Sequence, residues 1–248
     1  MHRLLLTCLL SLAAATPDLP AREAPDQPLP RQKAYSWMSL DKWSAFHEAD
    51  LARAQAGPVD LLFVGDSITE DWDKTGQAVW RDAFEPLRAA NFGIGGDTTQ
   101  NLLWRLTTGG ALDHVRPRVV VVLIGTNNIG LHNDPPADVL RGIAAVVKTL
   151  RQRLPDAEVL LLDLFPRGAS PDDAYRRAVV ETNRGLARIG AGDDHVRHLR
   201  LWDTFLDERG HTRPDLMPDH LHLSPAGYRR WADALLPVLE EMRTANRN

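Results

Sequence analysis

Ser67 stands in Gly65-Asp66-Ser67, directly after the apolar run Val59–Val64. A hydroxyl on such a turn can be presented to a ligand, and a neighbouring base would make it a nucleophile. The same serine would also suit a helix cap. A base is available far along the chain, where Asp219-His220-Leu221-His222 precedes Ser224-Pro225. One short loop there offers an imidazole and a carboxylate. Asp219 accepting from His222 Nδ1–H would leave Nε2 free to take a serine proton. His220 and His222 could instead pair on a metal. That needs further ligands, and the sequence has no H-E-x-x-H pattern and no cysteine after Cys8. Asp207 and Asp215 lie nearby and read as surface charges.

Two more segments have the chemistry of an anion cradle. Asn91–Asp97 reads NFGIGGD, and its glycines let the backbone approach a ligand closely. The spacing does not match the dinucleotide fingerprint G-x-G-x-x-G. Gly125-Thr126-Asn127-Asn128 follows the run Val119–Ile124. An asparagine amide at a strand end is a fixed, uncharged N–H donor, which suits an oxyanion hole. Its other reading is an asparagine that satisfies a turn. The G-x-S-x-G elbow of α/β-hydrolases is absent around Ser67.

These segments need elements to hold them. Val59–Val64, Val119–Ile124 and Val159–Leu162 are short runs apolar on both faces, and Val196–Leu201 is a weaker one. Continuous apolar strands belong to a sheet covered on both sides, the mark of parallel sheets. Val139, Leu140, Ile143, Val146, Val147 and Leu150 share one helical face, behind Asp134 as cap and Pro135 in the first turn. A last helix opens at Ser224-Pro225, turns Tyr228, Trp231, Ala232, Leu235 and Leu239 inward, and should be disturbed at Pro237. Strands alternating with helices predict an α/β three-layer sandwich. Reactive groups then gather in the crevice at the carboxyl ends of the strands.

The amino terminus differs in kind. His2 and Arg3 precede the apolar run Leu4–Ala15, which ends Ala13-Ala14-Ala15, the pattern of a secretory signal peptide. The run is far shorter than the roughly 20 residues that span a bilayer, so no stable membrane anchor is expected. Cys8 lies inside it, too early to carry a lipid, and a mature chain would have no disulfide and no thiol nucleophile. The prolines from Pro17 to Pro30 suit an extended, unpacked linker. The expected division is therefore 1–15 signal peptide, 16–34 linker and 35–248 catalytic domain, in a secreted or periplasmic protein. Of the 248 residues 44% are hydrophobic, and a net charge of −4 gives no basic excess to suggest nucleic acid.

Taken together, the sequence resembles the SGNH hydrolases, also called GDSL esterases. The namesake residues fall on Ser67, Gly96, Asn127 and His222, with Asp219 three before the histidine. NFGIGGDTTQNLLWRL (Asn91–Leu106), IGTNN (Ile124–Asn128), LFPRG (Leu164–Gly168) and LHLSPAGY (Leu221–Tyr228) resemble platelet-activating-factor acetylhydrolase catalytic subunits. The resemblance implies a flavodoxin-like sheet of order 2-1-3-4-5. It implies a serine esterase with Ser67, His222 and Asp219 as triad and with Ser67, Gly96 and Asn127 as oxyanion hole. No metal or organic cofactor is implied. A short acyl group, acetyl foremost, follows from the same likeness, with a lysophospholipid or a sugar as leaving alcohol. Two features depart from it: the intracellular acetylhydrolase subunits have no leader, and His220 replaces a small or apolar residue. Trp72, Trp80 and Trp104 lie near the motifs, where they could stack on sugar or serve the core. A domain that only bound sugar or lipid would have no need of Ser67, Asp219 and His222 together.

Overall fold

The computed structural model describes residues 23–245, so the expected leader, its Cys8 and the first part of the linker lie outside the described residues. Five parallel strands form one sheet in the order β2-β1-β3-β4-β5. In chain order the elements are α1 (Leu40–Gln55), β1 (Leu61–Gly65), α2 (Ser67–Glu70), α3 (Gln77–Ala83), β2 (Ala89–Gly93), α4 (Thr99–Leu106), β3 (Val119–Leu123), α5 (Thr126–His132), α6 (Pro136–Arg153), β4 (Glu158–Leu162), α7 (Ala174–Leu186), β5 (Val196–Leu199) and α8 (Pro225–Ala245). This is the three-layer α/β/α sandwich with the 2-1-3-4-5 order.

β1 and β3 are buried along their whole length, because helices cover both faces of the central sheet. Helices α4, α6 and α7 pack side by side, and α3 packs with α8. The parallel crossovers make this division, since each must turn the same way around the sheet. Trp72, Trp80, Phe63, Phe84, Tyr228 and Trp231 interlock under α3 and α8. Trp72 is fully buried and Trp80 nearly so, which places both in the core; Trp104 packs on Trp43. α8 runs on through Pro237, which sits on its exposed side.

β2 carries no strand signal in the sequence. It is an edge strand of sequence AANFG, without the β-branched run that marks β1 and β3. α6 begins one residue later than expected, with Pro135 at the cap position and Pro136 leading the first turn.

The linker expectation is corrected for residues 23–34. Leu29 N–H donates to Gln100 O at 3.0 Å, Thr99 Oγ1 to Pro25 O at 2.8 Å, and Asn101 Nδ2 to Leu29 O at 3.0 Å. Arg31 is buried within the domain. The segment has no helix or strand, yet its carbonyls serve as acceptors for the start of α4, which fixes it to the body. The packed unit therefore begins before Tyr35.

Candidate active site

The register sets the site. Gly65 at the end of β1 pairs with Gly93 of β2 on one side and Leu123 of β3 on the other. Three loops therefore leave the sheet at one level: the start of α2, the turn after β2, and the start of α5. Strand order reverses here, at the switch point between β1 and β3.

Ser67 is the first residue of α2, so its own N–H has no partner within the helix. Asp66 rather than Ser67 caps this helix, accepting from Ile68 N–H at 3.0 Å. The serine hydroxyl is left to its other neighbour. Ser67 Oγ lies 2.9 Å from His222 Nε2, and His222 Nδ1 lies 2.7 Å from Asp219 Oδ2. Asp219 Oδ1 also accepts from Leu221 N–H at 3.0 Å and His222 N–H at 2.7 Å. Partial burial works against the Asp219 charge, but the hydrogen bonds from the His222 ring and backbone outweigh it and hold the carboxyl below its ordinary range. A charged Asp219 accepts a hydrogen bond from Nδ1–H, which leaves Nε2 as the acceptor facing Ser67. Such a line can move a proton off the serine hydroxyl and return it elsewhere.

His220 does not join this line. It sits at φ +62° with Nδ1 2.6 Å from Thr212 Oγ1, so the loop is left-handed at this residue instead of extended. That twist carries its ring to Thr212. Among the described residues no three His, Cys, Asp or Glu side chains gather as a metal site. Asp207 and Asp215 are both exposed; Asp207 caps its own turn and Asp215 pairs with Arg213.

On the opposite side of Ser67, Ile94–Asp97 forms a tight turn closed by Asp97 N–H on Ile94 O at 3.1 Å. Gly96 takes φ +76° there, a conformation that favours glycine. Gly95 N–H is engaged by the Glu70 carboxylate, which leaves Gly96 as the candidate donor of this turn. Gly125 at φ +127° redirects the chain from β3 into α5; a Cβ there would meet Val139 and Ile143 at 3.0–3.1 Å. That redirection brings Asn127 against the turn, where its Nδ2 donates to Asp97 O at 3.1 Å. An amide has two N–H bonds, so this one orients the group and leaves the other. Asn128 does something different. It accepts from Thr99 N–H at 2.9 Å and donates to Asp134 Oδ2 at 2.9 Å, stitching α5 to α4.

Ser67, His222, Gly95, Gly96 and Asn127 line one cavity of about 490 Å³. Several of its walls have no sequence signal that singles them out. Glu70 carries Lys74 and Gly95 N–H from within the cavity. Arg167, from the LFPRG segment, donates to Thr126 O at 3.2 Å and passes over Gly130, where a Cβ would collide with its guanidinium. Arg31 donates to Gly95 O at 2.8 Å and to Asp97 Oδ1 at 3.1 Å, against a burial cost that lowers its pKa. Asp97, fully buried, also accepts from Trp43 Nε1 and Arg105 Nε, each at 2.7 Å. The Ile94–Asp97 turn thus rests on a buried ionic frame.

A doubly wound sheet with such a line at its switch point is the architecture of a hydrolase. Comparison with known proteins narrows it. The chain belongs to the GDSL-like Lipase/Acylhydrolase family, whose model matches residues 63–230. It is a carboxylic ester hydrolase. The platelet-activating factor acetylhydrolase IB subunit alpha1 of Pongo abelii is 37% identical over 198 residues, 80% of this chain and 83% of the relative. A GDSL-like lipase from Bacteroides thetaiotaomicron superposes with a TM-score of 0.66 at 19% identity, over 82% of this chain and 98% of that one. An acetylxylan esterase from Geobacillus stearothermophilus gives 0.59 at 20% identity, over 72% and 93%. At such identities the two structures speak for the fold alone. Among the described residues no helix is long and apolar enough to cross a membrane.

Proposed function

We propose that the protein is a secreted serine esterase that removes short acyl groups, acetyl foremost, through an acyl-enzyme on Ser67. The observation that carries this reading is the unbroken Ser67–His222–Asp219 line, with distances of 2.9 and 2.7 Å. Ser67 Oγ attacks the ester carbonyl while His222 Nε2 accepts its proton. The tetrahedral oxyanion is held by the N–H groups of Ser67 and Gly96 and by the free N–H of Asn127. Its collapse breaks the ester C–O bond, and His222 returns the proton to the leaving alcohol. Water then repeats the sequence: His222 takes its proton, the hydroxide adds to the acyl carbon, and Ser67 leaves as the hydroxyl. Asp219 keeps the imidazole tautomer throughout and balances the imidazolium. No step calls for a metal or an organic cofactor.

Acetyl is favoured by the likeness to acetylhydrolase subunits, and export by the leader pattern of residues 2–15. Both are open to direct test. A p-nitrophenyl ester series should show acetate cleaved fast and octanoate negligibly. Ser67→Ala should fall below about a hundredth of wild-type turnover with an unchanged circular dichroism spectrum. Retained turnover would remove Ser67 as nucleophile. Intact-mass measurement of exported material should give a chain starting near Thr16.

A further inference from the structure

The tryptophans near the motifs face the core, yet one tryptophan does not. Trp37 is 48% exposed and lines the same cavity as Ser67 and His222. It sits in a short turn whose base is closed by two hydrogen bonds between Tyr35 and Met38, 2.9 and 3.0 Å, with Met38 buried beneath. Tyr35 stacks on it with centroids 5.0 Å apart and planes 9° from parallel. The far edge of the Trp37 ring lies over Gly96, where a Cβ would collide with Cη2. A rigid, half-exposed aromatic pair therefore borders the oxyanion-side turn.

We propose that Trp37 and Tyr35 form a stacking platform for the leaving alcohol, and that this alcohol is the sugar ring of an O-acetylated carbohydrate. The inference rests on the serine-esterase reading above. Three observations choose a sugar over the alternatives. First, Tyr35 covers one face of Trp37, and a single flat face fits the C–H side of a ring better than it encloses an alkyl chain. Second, a cavity of about 250 Å³ adjoins the catalytic one, sharing Gly96 and Leu131 with it. Glu23, Gln32, Lys33, Tyr35, Asn101 and His132 line it, a set that hydrogen-bonds hydroxyls and repels hydrocarbon. Third, the Tyr35 ring already has cations near it. Arg31 and Lys33 lie 5.9 and 5.4 Å from its centre. A quaternary ammonium headgroup, which would seek this face through cation–π attraction, finds Arg31 and Lys33 already beside it.

The test compares sparsely acetylated cellobiose with ethyl acetate, which has no ring to stack. Trp37→Ala should lower the ratio of kcat/KM values, cellobiose acetate over ethyl acetate, about tenfold, or ~1.4 kcal/mol. The loss should lie mainly in KM, and Trp37→Phe should recover most of it. In a Ser67→Ala background, calorimetry should show cellobiose acetate binding weakened by the added Trp37→Ala. An equal fall for both esters would mean that Trp37 only props Gly96, and would overturn the platform. So would a loss confined to micellar 2-acetyl phosphatidylcholine, or binding to Ser67→Ala that ignores Trp37. If wild type cleaves neither ester, the esterase reading fails, and the binding measurement, which needs no turnover, still decides the platform.

Discussion

Asn127 Nδ2 donates to the main-chain oxygen of Asp97 at 3.1 Å. The bond joins the β3 loop to the β2 loop across the mouth of β1, and it aims the amide beside Ser67. If the second N–H meets the developing oxyanion, Asn127→Ala should lower the acylation rate by roughly a hundredfold to a thousandfold. Ground-state ester binding should change little, because the charge develops later. So kcat should fall while KM stays within a small factor. Asn127→Asp should be at least as harmful, since a carboxylate would face the oxyanion. Loss of thermal stability with near-normal single-turnover acylation would reduce Asn127 to a brace between loops.

The frame under that bond reaches into the proline-rich segment before Tyr35. Arg31 grips Gly95 O and the Asp97 carboxylate at once, so it positions the turn that carries Gly96. Arg31→Met should cost about 2 kcal/mol, less than a fully orphaned buried charge would, because Arg105 and Trp43 still hold Asp97. It should also reduce kcat by roughly tenfold to a hundredfold through a displaced donor. Urea unfolding and steady-state kinetics on the same sample read both. A chain trimmed to begin at Tyr35 should show the same pair of losses, and unchanged kcat in either protein would detach Arg31 from the turn.

What the sequence discloses, and what it withholds, follows from the range of the interactions involved. β1 and β3 declare themselves because central strands must be apolar on both faces, and the reactive segments can then be set at their ends. β2 is hidden because an edge strand tolerates Ala89, Ala90 and Asn91, none of which marks a strand. Prolines of residues 23–34 fit packed and unpacked backbone alike, so composition does not separate them. The deciding fact is the burial of Arg31 against Asp97, 66 residues away. Trp37 lies farther along the chain from the motifs than Trp72, Trp80 or Trp104, yet it is the ring at the site. Nearness to a motif in sequence says nothing about which ring the core absorbs. His220 gives no sign of its left-handed backbone.

That backbone supports a contrast between neighbouring histidines. His222→Ala should abolish turnover, by about four orders of magnitude or more, with little change in melting temperature. His220→Ala should retain most activity but lose roughly 1–2 kcal/mol of stability, because it keeps φ +62° without the Thr212 hydrogen bond. His220→Gly, free of that backbone penalty, should be more stable than His220→Ala by about 1 kcal/mol. Dialysis against EDTA should leave wild-type turnover intact. Equal loss of activity in the two alanine variants, or inhibition by EDTA, would point to a shared metal.

Asp66 gives the protein a distinct dependence of stability on pH. Its side chain is buried beside the serine, and Oδ2 accepts no hydrogen bond from the described residues. Burial pushes its pKa up to about 7, against the lowering effects of the Ile68 N–H bond and the field of His222. The unfolded carboxyl titrates near the ordinary value of about 3.9. Between the two values the folded chain holds a proton that the unfolded chain has lost, so stability falls as pH rises across that window. The loss should approach about 4 kcal/mol by pH 8, as an upper figure. Asp66→Asn keeps an oxygen for Ile68 N–H and removes the titration. The variant should therefore match wild type near pH 4 and exceed its melting temperature at pH 8. Parallel melting curves for the two proteins from pH 4 to 8 would show that folding does not raise the Asp66 pKa and that it contributes no such slope.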